Sequence, residues 1–267
     1  MFLSVRAKIA LRLMMAAGLA VLYIPLALVV LNAFNKSRTY AFPPTGYTTR
    51  WWGRAAHSSG AIDGLQNSLK AAAGATAIAL VLGTMAAFAV SRYRFFGRSS
   101  VSFLVVLPIA LPGIVTGIAL QNAFTQVTWI HFGLRTIIIG HATFCIVIVF
   151  NNVQARLSRL GGSMAEASAD LGATGWQTFS RVTFPSLRGA LVAGALLAFG
   201  LSFDEIVVTT FTTKPGLQTL PLWIYNNLSR PNQAPIVNVV AAVLIVLAVL
   251  PVWLAQRLSD DVAGSRF

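Results

Sequence analysis

Two neighbouring acids, Asp204 and Glu205, stand inside an otherwise apolar run, GALLAFGLSFDEIVVTTF. The chain holds seven acids in all, and no others fall within such a run. A carboxylate among apolar side chains is costly unless it faces water, a partner or a cation. On a continuous helix the pair lies some fifteen residues into its run, about 22 Å along at 1.5 Å per residue. Adjacent side chains diverge by about 100° there, so at most one of the two faces a central path squarely. The chemistry on offer is electrostatic, because a carboxylate lining a path favours a cation such as an alkylammonium. A structural reading competes with it, in which the acids pair with Lys214, Arg230 or a partner subunit.

Bond-making chemistry has no comparable footing. His57, His131 and His141 show no HExxH spacing, lie far from Asp204 in the run order, and read as interfacial polar residues. Cys145 is alone, so the chain can form no internal disulfide and no cysteine-based metal site. A phosphate-binding loop needs GxxxxGK followed by Ser or Thr, yet none of Lys8, Lys36, Lys70 or Lys214 follows a glycine. No catalytic residue, bound cofactor or metal is therefore expected. The net charge of +13 does not point to nucleic acid, since the basic residues are scattered around run boundaries with no recognition motif.

What must position the two acids is a membrane. The chain is 56% hydrophobic and 10% charged, with a mean hydropathy of +0.73, which calls for lipid as solvent. Crossing about 30 Å of hydrocarbon takes about 20 apolar residues as helix. Runs of that order occupy roughly 10–32, 65–90, 100–124, 136–153, 189–212 and 235–257, which predicts an all-α, polytopic protein with six transmembrane helices. Continuous Leu/Ala/Val runs lack the alternation of a β-barrel. The first run is too long for a cleavable signal and is expected to stay as an anchor.

Arginine and lysine set the orientation. With the N-terminus inside, Arg6, Lys8, Arg12, Arg92, Arg94, Arg98, Arg156, Arg159, Arg181, Arg188, Arg257 and Arg266 are all inside; the tight RYRFFGR turn is the clearest signal. The expectation is N-in/C-in, with three parts: 1–64 as first helix and outer loop, 65–257 as core, and 258–267 as inner tail. The outer loop carries FPPTGYTTRWW, where Pro43 and Pro44 enforce an extended or turned chain and Trp51 and Trp52 suit the headgroup layer. Pro108, Pro112, Gly113 and Gly117 mark the third run as bendable and closely packed. They read either as tolerated interface residues or as a gate, with the Pro112-Gly113 step as the hinge candidate.

The inner loop 154–188 is longer than a plain turn needs, and it is punctuated. Ser163-Met-Ala-Glu166 spells a capping box that starts a helix at Met164. Gly172 can take the left-handed conformation that ends that helix after Leu171. Thr174-Gly-Trp-Gln177 spells a second capping box, predicting a helix from about Gly175 to Val182 with Trp176, Phe179 and Val182 as a narrow apolar stripe. Pro185 is expected to end it and to open the fifth span. The predicted object is an elbow of two short helices hinged at a glycine.

The same stretch resembles the EAA loop of the membrane subunits of bacterial ATP-binding-cassette importers: Glu-Ala-Ala, three residues, Gly, nine residues, Ile-x-Leu-Pro. Here stand Glu166-Ala167-Ser168, Gly172 and Val182-Thr183-Phe184-Pro185 at the same spacing, with Ser168, Val182 and Phe184 as conservative departures. The resemblance implies a coupling helix that docks into a cytoplasmic ATPase. Glu166 and Gly172 are its central positions, and Ala167, Asp170, Trp176 and Pro185 belong to the same coupling surface. ATP and Mg would be held by two partner ATPase subunits.

Residues 202–225, SFDEIVVTTFTTKPGLQTLPLWIY, together with FPPTGYTTRWW and LPIALPG, look like the polyamine (spermidine/putrescine) type of these permeases. Relatives of that type also import aminoethylphosphonate, opine-like and amino-acid-like solutes. The resemblance implies a second, usually different, permease chain, a periplasmic solute-binding protein and residence in the bacterial inner membrane. An ion-driven secondary transporter remains a distant alternative, and would be expected to carry intramembrane charges in both halves.

Overall fold

The structure, a computed structural model, describes residues 4–38, 43–93, 95–127, 130–161 and 163–247. Among them the chain is helical, with a single isolated bridge between Asn35 and Tyr47 and no strand. The helices are α1 (Val5–Asn32), α2 (Arg50–Ala56), α3 (Ser59–Arg92), α4 (Arg98–Ala110), α5 (Gly113–Gln126), α6 (Leu134–Leu160), α7 (Ser163–Asp170), α8 (Gly175–Thr178), α9 (Phe184–Phe203), α10 (Val207–Thr212), α11 (Leu220–Leu228) and α12 (Ala234–Leu247). Helix is the form these Leu/Ala/Val runs must take in lipid, because it satisfies every backbone N–H and C=O within the segment.

Among the described residues four helices are long and apolar enough to cross a membrane: α1, α3, α6 and the continuous Gly175–Phe203, of which α8 and α9 are the two ends. A fifth candidate is the pair α4 and α5, whose axes meet at 106°. The third expected span is thus two helices rather than one curved helix. Pro112 disfavours the helical region for the residue before it, and Leu111 is accordingly extended, at φ −81 and ψ 143. Of the sixth expected span, α12 covers the first part, and 248–257 lie outside the described residues.

The fifth span departs most from expectation. It starts earlier, at Gly175, and ends at Phe203, well before Thr212. The apolar run continues across Asp204–Ile206 but the helix does not, and α10 begins anew at Val207. Pro185 stands in the first turn of α9, as expected, but does not end the helix before it. Residues Phe179–Thr183 form a π-helical turn in which the Phe184 N–H bonds the Phe179 carbonyl, five residues back. The extra residue in that turn shifts the register, so the proline ring is accommodated and the rod runs on.

Two compact units divide the chain: Met1–Ile62 with Trp223–Phe267, and Asp63–Leu222. The first has a small core in which Trp51 meets Ala33, Val239 and Ala242. The second is built around α6, buried from Thr136 to Leu157. Val149, Phe150 and Val153 of α6 meet Ala75, Ala79, Ala87 and Val90 of α3, Leu187 and Ala198 of α9, and Val208 of α10. Lipid tails are as apolar as these side chains, so close packing and interhelical hydrogen bonds hold such a bundle, the latter at roughly 0.6–2 kcal/mol each.

Candidate functional site

The elbow begins with α7, which carries Glu166 in its first turn and Asp170 as its last residue. Its end is closed by local backbone chemistry. The Gly172 N–H bonds the Ala169 carbonyl at 2.8 Å, and the Ala173 N–H bonds the Ser168 carbonyl at 3.1 Å. This double bond pattern needs a left-handed residue, and Gly172 supplies it at φ +80. The expected second box is formed: Gln177 N–H donates to Thr174 Oγ1 at 3.3 Å, while Thr174 N–H donates to Gln177 Oε1 at 2.8 Å. A hydroxyl pair, Ser168 with Thr178 at 3.0 Å, braces the two arms.

The second arm is the foot of the Gly175–Phe203 rod, not a separate helix. Phe179 seats that foot on α3, its ring 5.7 Å from Phe88 and edge-on to it. Trp176 stacks toward Phe179 at 5.7 Å yet remains 73% exposed, so the expected apolar stripe is only partly covered. Leu171, at 89% exposure, stands bare at the turn. Arg156 of α6 donates from Nε to the Ser186 carbonyl at 2.9 Å, one residue beyond Pro185. Glu166 borders a cavity of about 480 Å³ shared with Arg92, Arg98, Gln154 and Ser158.

Asp204 and Glu205 lie at the other end of the rod, in the break between α9 and α10, rather than on a helix face. Asp204 caps the C-terminus of α9 and is exposed. Glu205 is half-buried and turns the other way, its Oε1 accepting the Val208 N–H at 2.8 Å at the start of α10. The two acids therefore differ in role. One is free toward the surroundings, and the other closes a helix end.

The short α10 is held from two sides. Thr136 of α6 donates to the Thr212 carbonyl at 2.6 Å. On the α5 side, a Cβ on Gly117 would stand 2.4 Å from the Phe211 ring, so only glycine permits this approach. Gly113, the first residue of α5, faces Val207. Of the hinge candidates, Gly113 thus lies against α10, Pro112 caps α5, and Pro108 lies within α4.

His141 completes the site, and it is fully buried instead of interfacial. Its Nδ1 lies 2.8 Å from Ser202 Oγ on α9, and its Nε2 lies 2.9 Å from Thr209 Oγ1 on α10. The Thr209 hydroxyl also lies 2.9 Å from the Glu205 carbonyl, so it reaches both the ring and the backbone of the break. One imidazole on α6 ties the two sides of the break together.

Residues 79–264 match the model of a family described as "binding-protein-dependent transport system inner membrane component". The chain belongs to that family. The chain is 34% identical over 247 residues to the spermidine/putrescine transport system permease protein PotC of Escherichia coli (strain K12), covering 92% of each chain. It is 33% identical to the putrescine transport system permease protein PotI of the same strain, covering 85% of this chain and 83% of that one. PotC of Haemophilus influenzae is 33% identical over 90% of this chain and 92% of its own. In fold, the component resembles a chain from the crystal structure of a bacterial ABC transporter involved in the import of the acidic polysaccharide alginate. The TM-score is 0.68 at 17% identity, with 98% and 99% of the two chains covered.

For a transport-system component, the residues that sequence reasoning passed over are the hydroxyls and the imidazole around the break. A signal was present. Ser202 and Thr209 are polar residues in an apolar run, and His141 is another, and in lipid each must find a partner.

Proposed function

We propose that this chain forms one half of the translocation pathway of an ABC importer for a small cationic solute, a polyamine such as spermidine or putrescine. It has six spans with both termini in the cytoplasm, and residues 65–257 form the transporting core. One of two ATPase subunits engages the elbow at Glu166, Ala167, Asp170, Gly172, Trp176 and Pro185, and the pair of them holds the ATP and Mg. A second, different permease chain supplies the other half of the pathway, and a periplasmic solute-binding protein delivers the solute.

The observation that carries this reading is the continuity of Gly175–Phe203, 29 residues or about 43 Å at 1.5 Å per residue, with the elbow at one end and Asp204 at the other. A stiff helix transmits displacement where a loop would absorb it. Closure of the ATPases pushes α7, the Gly172 turn passes the push to the rod, and the rod moves the break, with the Leu111–Pro112 bend as the hinge that yields. Asp204 suits a cation for a second reason. The last carbonyls of α9 make that helix end partially negative, and a carboxylate placed there is unfavourable until a cation arrives. The polyamine permeases to which the chain is similar support the same choice of solute.

The test is ATP-driven uptake of labelled spermidine by the reconstituted complex. Asp204→Asn is expected to cut uptake about tenfold or more, as loss of a charge-assisted bond of roughly 1.5–3 kcal/mol implies. Glu205→Gln, which keeps an acceptor for the Val208 N–H, is expected to cost less than about threefold. Equal, full activity of both variants would remove the acids from the pathway.

A further inference from the structure

Where the elbow meets the helix bundle, several polar side chains stand around one cavity without partners. The cavity, about 480 Å³, lies within the unit Asp63–Leu222, on the side of α7 that carries Glu166. Its wall takes Arg92 from the end of α3, Arg98 from the start of α4, Gln154 from α6 and Thr183 from the π-helical turn, a backbone form that recurs at functional sites. Among the described residues, the side chains of Arg92, Arg98, Gln154 and Glu166 enter no hydrogen bond or ion pair. The Ser91 hydroxyl beside them is buried, also with no partner. Other hydroxyls at the wall are spent: Ser158 and Ser186 donate to backbone carbonyls one turn back, at 2.9 and 2.7 Å. A water takes up about 30 Å³, so this space exceeds what one bridging water fills and falls in the range of small-molecule sites.

The charges set the chemistry. Two guanidinium forks match the geometry of a phosphate, and a hydroxyl and a primary amide add donors. Glu166 asks for the opposite sign. A plain anion leaves that carboxylate unanswered, while a plain cation, a polyamine included, meets two arginines. A phosphorylated amine answers both, with its phosphate on Arg92 and Arg98 and its ammonium on Glu166. We propose that this cavity binds a phosphoethanolamine group, carried either by a soluble ester or by the headgroup of phosphatidylethanolamine. The occupant ties α7 to the ends of α3 and α4, which are not part of the rod. A tied α7 no longer passes its push to Gly175–Phe203, so occupancy slows transport. That consequence rests on the importer reading above; the binding itself does not.

Equilibrium dialysis of labelled phosphoethanolamine against the purified complex, held in discs of phosphatidylcholine, measures binding without transport. The unmodified complex is expected to retain the label. Phosphatidylethanolamine added to the discs displaces it if the headgroup is the natural occupant, and leaves it in place if a soluble ester is. Arg92→Lys with Arg98→Lys, which keeps the charges but not the forks, should weaken retention about tenfold. Glu166→Gln should weaken retention of phosphoethanolamine severalfold yet change that of inorganic phosphate by less than about twofold, whereas a merely structural defect lowers both. No retention by the unmodified complex, or unaltered retention in both variants, overturns the site. With phosphoethanolamine loaded inside vesicles, ATP-driven spermidine uptake is expected to fall severalfold. Unchanged uptake beside intact binding overturns the clamp, and absence of uptake under every condition sinks the importer reading while the binding result stands.

Discussion

The imidazole of His141 bridges the break between α9 and α10, with Ser202 Oγ 2.8 Å from Nδ1 on one side and Thr209 Oγ1 2.9 Å from Nε2 on the other. A break in a membrane helix frees backbone groups that lipid cannot satisfy. Here the Glu205 and Thr209 side chains take up that task and His141 links Thr209 to Ser202, so the break is a supported joint rather than a frayed end.

Replacing that imidazole should therefore cost stability out of proportion to its size. His141→Leu leaves Ser202 and Thr209 without their ring partner in a buried setting, which is expected to lower stability by about 1–3 kcal/mol. Thermal unfolding of the purified complex in detergent checks this. Ser202→Ala added to His141→Leu is expected to cost little more, since the bond is already gone. Additive losses would show that the two residues act separately.

The elbow was legible from sequence because its chemistry is local. Thr174 and Gln177 stand three residues apart, and Gly172 needs only its own left-handed turn, so short spacing alone places them. The joint at Asp204 was not legible, because hydropathy is blind to a helix that stops inside an apolar run. His141 reaches partners 61 and 68 residues away, a pairing that periodicity along one helix cannot reveal. Pro185 misled for a related reason. Proline is read as a stop, yet a π-helical turn just before it gives the ring room, and nothing in residues 179–183 announces that turn.

Gly172 separates conformation from contact. A Cβ there would meet nothing within 4 Å in this chain, so the need for glycine is the positive φ alone. Gly172→Pro, locked near φ −65°, is expected to abolish coupling, with uptake and stimulated ATPase activity falling together while the protein still inserts in the membrane. Gly172→Asn, whose side chain tolerates the left-handed region, should keep most of the activity. Full loss in the asparagine variant, measured as uptake by vesicles of matched protein content, would place a partner's surface directly on the glycine.

The central claim is that the rod Gly175–Phe203 carries the stroke from the elbow to Asp204. Val192 and Ala193 point away from the core midway along it, next to Gly194, so their side chains can be removed with little repacking. Val192→Gly with Ala193→Gly softens the rod by roughly 1 kcal/mol for each helical glycine. The decisive measurement is uptake per ATP hydrolysed by the reconstituted complex carrying both changes. Hydrolysis is expected to continue while uptake per ATP falls severalfold; an unchanged ratio would show that the rod does not carry the stroke.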